Sequence, residues 1–406
     1  MQTPKGTRDY FGTDAKKFGA IVSSFKNAFE TFGFDRVSTP NFEYSKLLKG
    51  KYGEDEKLIY EFKDRSGRGL ALRYDLTVPL ARVVGNTQFP LPAKFYNIGK
   101  VFRYDNPQKG RKREFVQADI DVVGSNSALC DAELISCMSY GFYGLRIKPI
   151  FRVNNRMVMN QIFSELGYKK KDFVTILRAI DKLDKIGVAG VKRELEGKGL
   201  NKVPRLLKLI RTRGSLTTLK SAIKGLNVDL TPFESLSSDI RNLQMNPTRV
   251  EFDLSLARGL DYYTGNVYEI DIGQKMSVGG GGRYDSLVRN LTGKDLTGVG
   301  ISIGITRLFD LVSDKIKVND SKVSVVGVNT NHIEIVNSLR INGIVTNYDL
   351  NSRNLRSAMN YANKTGSNYV VLVGERELKS KKFVLRDMSS GKEEKLTINQ
   401  IISKFK

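Results

Sequence analysis

Residues 93–124 read AKFYNIGKVFRYDNPQKGRKREFVQADIDVVG, two strand-like runs on either side of the polar, glycine-containing loop NPQKGRK. A loop of that length cannot make a parallel crossover, so the two runs must pair as antiparallel neighbours. Comparable text lies on both sides. Upstream, FDRVSTPNFEY (34–44) ends an extended run at Pro40, and KLIYEFKD (57–64) and LALRYD (70–75) flank a GRG turn. Downstream, strand-like and glycine-rich text resumes at Arg249 and runs through YEIDIG (268–273) and SVGGGGRYD (277–285) to GVGISIGITRLFDLV (298–312). An antiparallel sheet is implied. Ahead of it, Phe18, Ile21, Val22, Phe25, Phe29 and Phe32 recur at helical spacing, with Thr13 as N-cap and Gly33 as C-cap.

Two segments differ from this pattern. Between about 166 and 225, Phe173, Ile176, Leu177, Ile180 and Leu183 mark one helix and Leu206, Leu207 and Ile210 another, with basic residues on the opposite faces. This reads as a small helical insertion. From residue 322 the chain follows a β-α-β-α-β order: VSVVGV, a helix near Ile333 to Leu339, a strand at Gly343 to Thr346, a helix around Leu355 to Ala362 closed by Gly366, and YVVLVGE. That order predicts a separate open α/β domain.

The 406 residues exceed what one core usually holds, and no apolar run approaches the length of a membrane span or a secretory signal. A soluble, cytoplasmic chain with no membrane partner is expected. The cysteines, Cys130 and Cys137, fall on one helical stretch and read as reduced core thiols. The single histidine, His332, excludes histidine-based triads and HExxH zinc sites, and no metal site built by the protein is expected. Chemistry must use Arg, Asp, Glu, Tyr and backbone groups. The net charge of +23 is unevenly spread, at +11 over residues 166–225 and +7 over residues 322–406. A solvated lysine-rich surface would account for this, but concentration in two modules favours RNA.

Joining a carboxylate to a nucleotide needs arginines for the triphosphate, groups that orient the acid, and a glycine-lined surface against the adenosine. VFRYDNPQKGRKREF, LARGLDYYTG (256–265) and GVGISIGITRLFDL supply them in order. With PKGTRDY (4–10), FDRVSTPNFEY and LRYDLTVPLAR (72–82), the chain resembles the histidyl-tRNA synthetases along nearly its whole length. VFRYDNPQKGRKREFVQADIDVVG looks like the second class II motif and GVGISIGITRLFDLV like the third. LARGLDYYTG with SVGGGGRYD resembles the pair of signatures that separates histidyl enzymes from other class II synthetases.

The resemblance implies an α+β class II fold: an antiparallel sheet flanked by helices over residues 1–321, interrupted by the insertion at about 166–225, then an α/β anticodon-binding domain over 322–406. It implies ATP and histidine as substrates, Mg2+ arriving with ATP, tRNA(His) as acceptor, and a homodimer with Pro40 at its interface. Arg103 would bind the α-phosphate and the histidine carboxylate, Arg307 the γ-phosphate and Arg111 the triphosphate, with Arg113 open between ATP and tRNA. Arg258 would lie beside the reacting carboxylate and α-phosphate. Asp75, Thr77 and Gln117 would surround the α-amino group, Asp121 and Tyr263 would take the two ring nitrogens, and Tyr262 would line the pocket. Asp75 stands where other branches carry Glu, one methylene longer.

Two other classes compete. A synthetase-like regulatory protein of histidine biosynthesis would tend to lack LARGLDYYTG and the C-terminal domain, and both are present. A non-enzymatic RNA-binding protein would not need Arg103, Arg258 and Arg307 together with the glycine-rich strand.

Overall fold

A computed structural model describes the chain except residues 109, 244–246, 259–262, 275, 319–320, 329 and 406, and the side chain of Glu54. Contacts divide it into two compact units, Met1–Ile316 and Lys317–Lys406; the sequence reading put the boundary at 321/322.

The first unit is built on a nine-stranded sheet. Ala93–Phe102 and Glu114–Val123 pair antiparallel over their full lengths, Ala93 opposite Val123 and Phe102 opposite Glu114. The ladder continues antiparallel through Gly298–Gly304, Gly279–Arg283, Asn266–Asp271 and Ile150–Asn155. It becomes parallel near each edge, where Asp35–Arg36 joins Ala93–Phe102 and Arg249–Asp253 joins Ile150–Asn155. The sheet is therefore mixed, with its antiparallel part at the centre. A smaller antiparallel sheet holds Phe42–Tyr44, Gly69–Leu72 and Glu61–Lys63.

The N-terminal helix Gly12–Thr31 buries Ile21, Phe25, Ala28 and Phe29. Phe25 meets Phe142 of the helix Leu129–Gly144 edge to face at 5.0 Å. Thr13 lies inside the helix rather than capping it, because the turn begins at Gly12 after the extended Phe11. Gly33 ends it with φ +72°, a left-handed conformation that glycine adopts without steric cost. Cys137 is buried, but Cys130, in the first turn of Leu129–Gly144, is only half-buried.

The insertion holds helices Phe173–Asp181, Leu183–Gly197, Val203–Ile210 and Leu216–Ala222. Leu183 opens the second helix rather than closing the first, which stops at Asp181. In Val203–Ile210 the apolar stripe is buried while Arg205 and Lys208 face solvent.

The second unit has the order Val323–Gly327, Ile333–Ile341, Thr346–Tyr348, Leu355–Lys364, Tyr369–Val373 that the sequence implied. Its three strands are parallel. Two antiparallel strands, Phe383–Asp387 and Glu393–Leu396, then extend the sheet, and the helix Ile398–Phe405 buries Ile401 in the core around Val325, Val371 and Leu385. Among the described residues, no helix is long and apolar enough to cross a membrane.

Candidate active site

The central strands position one row of polar side chains. Glu114–Val123 runs antiparallel to Gly298–Gly304 with Gln117 opposite Gly304, Asp119 opposite Ser302 and Asp121 opposite Gly300. Strand alternation sends Gln117, Asp119 and Asp121 to one face. Next in the sheet lies the glycine strand, Gly279–Arg283, which is regular sheet rather than a flexible turn. A Cβ on Gly300 would collide with the Asp121 carboxylate, and one on Gly282 with the Tyr263 ring. Glycine is thus what lets these side chains lie flat against the sheet. Together they border a small, partly open cavity lined by Thr77, Asp119, Asp121, Tyr263, Tyr284 and Ser302.

The cavity side is acidic. The Tyr284 hydroxyl donates to Asp121 Oδ1 at 2.6 Å. Burial nevertheless lifts the Asp121 carboxyl to about 7, against that hydrogen bond, and the Asp75 charge adds to the rise. Burial, then the charge of Asp121, pushes Asp119 well above the usual carboxylate range. Gln117 Nε2 donates to Ser302 Oγ at 2.5 Å and to Asp119 Oδ1 at 3.3 Å. Asp75 is raised by burial and accepts the Val78 N–H, in the first turn of Thr77–Asn86, at 3.0 Å. Burial also raises Tyr263, against the charge of Arg258.

The adjoining side is cationic. The Arg103 guanidinium lies 4.1 Å from the Tyr74 ring and 5.2 Å from that of Phe115. Its Nε donates to the Tyr74 carbonyl at 3.1 Å and its Nη2 to Gln117 Oε1 at 3.4 Å. Arg307, on the helix Ile305–Val312, donates to the carbonyls of Gly110 and Ser277, both at 2.9 Å. Its pKa is lowered by burial first, then by the charges of Arg258, Arg103 and Arg111. The other three guanidinium groups are therefore near enough to act on Arg307, and the four form a cationic cluster. Arg258 pairs with Glu269 at 3.2 Å and is largely exposed. Arg111, also exposed, lies 3.5 Å from Asp105. Arg113 faces another way: its guanidinium covers the Tyr104 ring at 4.3 Å, and Nε donates to the Asp105 carbonyl at 3.2 Å.

The match to families follows this geometry. Residues 6–308 match the family model described as histidyl-tRNA synthetase, and residues 322–406 match that of an anticodon binding domain. The chain belongs to the histidyl-tRNA synthetase family. It is 36% identical to the histidine–tRNA ligase of Finegoldia magna, covering 100% of this chain and 99% of that one. It is 45% identical to that of Aeropyrum pernix over 76% of this chain and 73% of the relative. The crystal structure of histidyl-tRNA synthetase from Nostoc sp. PCC 7120 superposes with a TM-score of 0.88 at 27% identity, covering 100% and 99% of the two chains.

Of the residues singled out in the sequence, Thr77, Asp121 and Tyr263 line the cavity, and Gln117 and Arg103 are hydrogen-bonded to each other beside it. Asp75 is in electrostatic reach of both Asp121 and Arg103. Arg111, Arg258 and Arg307 belong to the cationic cluster. Tyr262 lies outside the described residues. Asp119, Ser302 and Tyr284 were missed. For Asp119 a signal existed, since QADID alternates Gln117, Asp119 and Asp121 with apolar residues. Tyr284 had none beyond its place in SVGGGGRYD.

Proposed function

We propose that the chain is a histidine–tRNA ligase whose activation step takes place in this cleft. The supporting observation is its polarity: carboxylates and phenols around a small cavity on one side, four arginines on the other. Such a cleft fits a cationic amino acid next to a triphosphate. Asp121 and Tyr263 take the two ring nitrogens of histidine, an acceptor and a phenol suiting an imidazole that presents one nitrogen on each side. Asp75, Thr77 and Gln117 face the α-amino group. Arg103 bridges the histidine carboxylate and the ATP α-phosphate, and Arg111 and Arg307 hold the distal phosphates, a planar fork matching phosphate geometry.

In the first step a carboxylate oxygen of histidine attacks the α-phosphorus in line, the bond to the bridging oxygen breaks, and pyrophosphate leaves. The attacking group is already ionised at neutral pH, so no general base is required. Arg258, tethered by Glu269, meets the charge that develops on the α-phosphoryl oxygens. In the second step a terminal ribose hydroxyl of tRNA(His) attacks the acyl carbon, the bond from that carbon to the phosphate oxygen breaks, and AMP and the hydroxyl proton leave. The carboxylates on the phosphate side, Asp105 and Glu269, are already in reach of Arg111 and Arg258. Mg2+ would arrive with ATP and neutralise phosphate charge.

The insertion and the second unit, with net charges of +11 and +7, contact tRNA(His). Pro40 is exposed beside Phe42, Tyr44 and Phe62, which leave 53%, 49% and 44% of their surface open. An exposed aromatic face of this kind supports a homodimer interface there. A cytoplasmic location agrees with these substrates. ATP–pyrophosphate exchange measured with each of the twenty amino acids tests the reading. Exchange with histidine alone is expected; exchange with another amino acid, or with none, overturns it.

A further inference from the structure

Among the described residues, the acidic side of the cavity contains a fully buried carboxyl oxygen with no donor. Asp75 Oδ1 takes the Val78 N–H, and Asp121 Oδ1 takes the Tyr284 hydroxyl. Asp119 Oδ1 accepts from Ser302 Oγ and from Gln117 Nε2. Asp119 Oδ2, on a residue only 2% exposed that lines the cavity, has no hydrogen-bond partner. Among the described residues no Lys or Arg forms an ion pair with Asp119. The cation in electrostatic reach, Arg73, directs its Nε to the Lys100 carbonyl at 2.6 Å and its Nη1 to that of Thr39 at 2.7 Å. A buried carboxyl oxygen without a donor is costly, and burial disfavours the charged form of these acids while no cation among the described residues pairs with them. A cationic ligand relieves both.

Position along the strand identifies which cation. Gln117, Asp119 and Asp121 occupy alternate residues of one strand, so their side chains emerge about 7 Å apart on one face. Gln117 is bonded to Arg103, at the end where a substrate carboxylate sits, and Asp121 lies with Tyr284 and Tyr263 at the end where a ring sits. Asp119 stands between them, and in the proposed pose the carbon that joins carboxylate to side chain falls beside it, next to Gln117. That carbon bears the α-ammonium. Asp75, shorter than the Glu of other branches, commits Oδ1 to the Val78 N–H.

We propose that Asp119 is a substrate-binding residue that accepts a hydrogen bond from the α-ammonium of histidine through Oδ2 and sets the requirement for a free amino group. This inference rests on the histidine-activating reading of the cleft.

The test uses full-length protein and the substitutions Asp119→Asn and Asp119→Ala. Pyrophosphate exchange gives the KM of histidine and of ATP. Inhibition by imidazolepropionate, which has the ring and carboxylate but no amino group, gives the contribution of the remainder. Asp119→Asn is expected to raise the KM of histidine about 10²-fold, the loss of a charge-assisted hydrogen bond, and to leave the KM of ATP within about twofold. Imidazolepropionate should bind wild type and variant within about threefold of each other, since it never made the contact. An unchanged KM for histidine, or equal weakening of histidine and imidazolepropionate, overturns the proposal. Fall of the whole functional reading looks different: wild-type protein then fails to exchange pyrophosphate with histidine at all.

Discussion

Arg258 and Asp121 are the two side chains whose surroundings most directly set chemical behaviour. Arg258 is held by Glu269, which also lies 3.4 Å from Arg152, so the guanidinium is oriented while remaining open to a ligand. Its charge acts mainly on the transition state. Arg258→Ala should lower the rate of adenylate formation about 10²- to 10³-fold with a smaller effect on the KM of ATP, measured by single-turnover activation. Asp121 predicts a pH dependence. Its carboxyl is lifted from 3.8 to about 7 by burial, so the folded state binds a proton that the unfolded chain releases. The stability from that proton is complete below 3.8 and is lost as pH rises through about 7. Asp121→Asn removes this term. Across that window the stability of wild type relative to the variant should decline with rising pH, and denaturant unfolding at several pH values measures it. A pH-independent difference would mean that Asp121 titrates as an ordinary exposed carboxylate.

At the scale of elements, the N-terminal segment braces the strands and helix that carry the arginines. The Gly6 carbonyl accepts the N–H of Arg113 at 2.8 Å, and the Arg113 carbonyl accepts that of Arg103 at 2.9 Å. Arg8 and Lys112 both approach Asp310, at 3.6 and 3.5 Å, on the helix of Arg307. Tyr10 meets Phe309 of that helix edge to face at 5.3 Å. Gly6 has φ +87°, and a Cβ there would lie 2.7 Å from Arg113 Cγ. An alanine would combine left-handed strain of about 1 to 2 kcal/mol with displacement of Arg113. Gly6→Ala should raise the KM of ATP on the order of tenfold, one such displacement being worth about 1.4 kcal/mol, and change that of histidine much less. Initial-rate exchange with each substrate varied in turn measures both. A similar rise for both substrates would indicate general loosening instead.

The whole molecule distributes its charge by module. The catalytic sheet alternates acidic and basic clusters, whereas residues 166–225 and 322–406 carry most of the surplus. Helices of the insertion pair some of it internally, as Lys182 and Lys198 do with Glu194 at 2.8 and 3.1 Å. If the remaining cations meet tRNA, binding releases counterions and must weaken steeply with salt. Phosphate contacts inside the cleft are short-range and partly buried, hence weakly screened. A salt titration should therefore depress aminoacylation at limiting tRNA far more than histidine-dependent pyrophosphate exchange. Removing the compact unit Lys317–Lys406 should abolish the first and leave the second measurable. Equal salt sensitivity of the two steps would mean that the basic surfaces are only solvated.

The sequence by itself determined the antiparallel centre of the sheet, since NPQKGRK is too short for any other connection, and the α/β order of the second unit through Val373. It also determined which arginines and acids to watch, because local motifs carry them. Other features depended on contacts between distant residues. Tyr284 bonds Asp121 across 163 positions, and Ser302 bonds Asp119 across 183. Period-two alternation says which residues share a face, but not which strand lies opposite or in what register. Here the glycines of two strands, packed back on the polar row, made that choice. The parallel edges of the sheet and the final antiparallel pair of the second unit were decided in the same way, by long-range pairing that a short stretch of sequence does not encode.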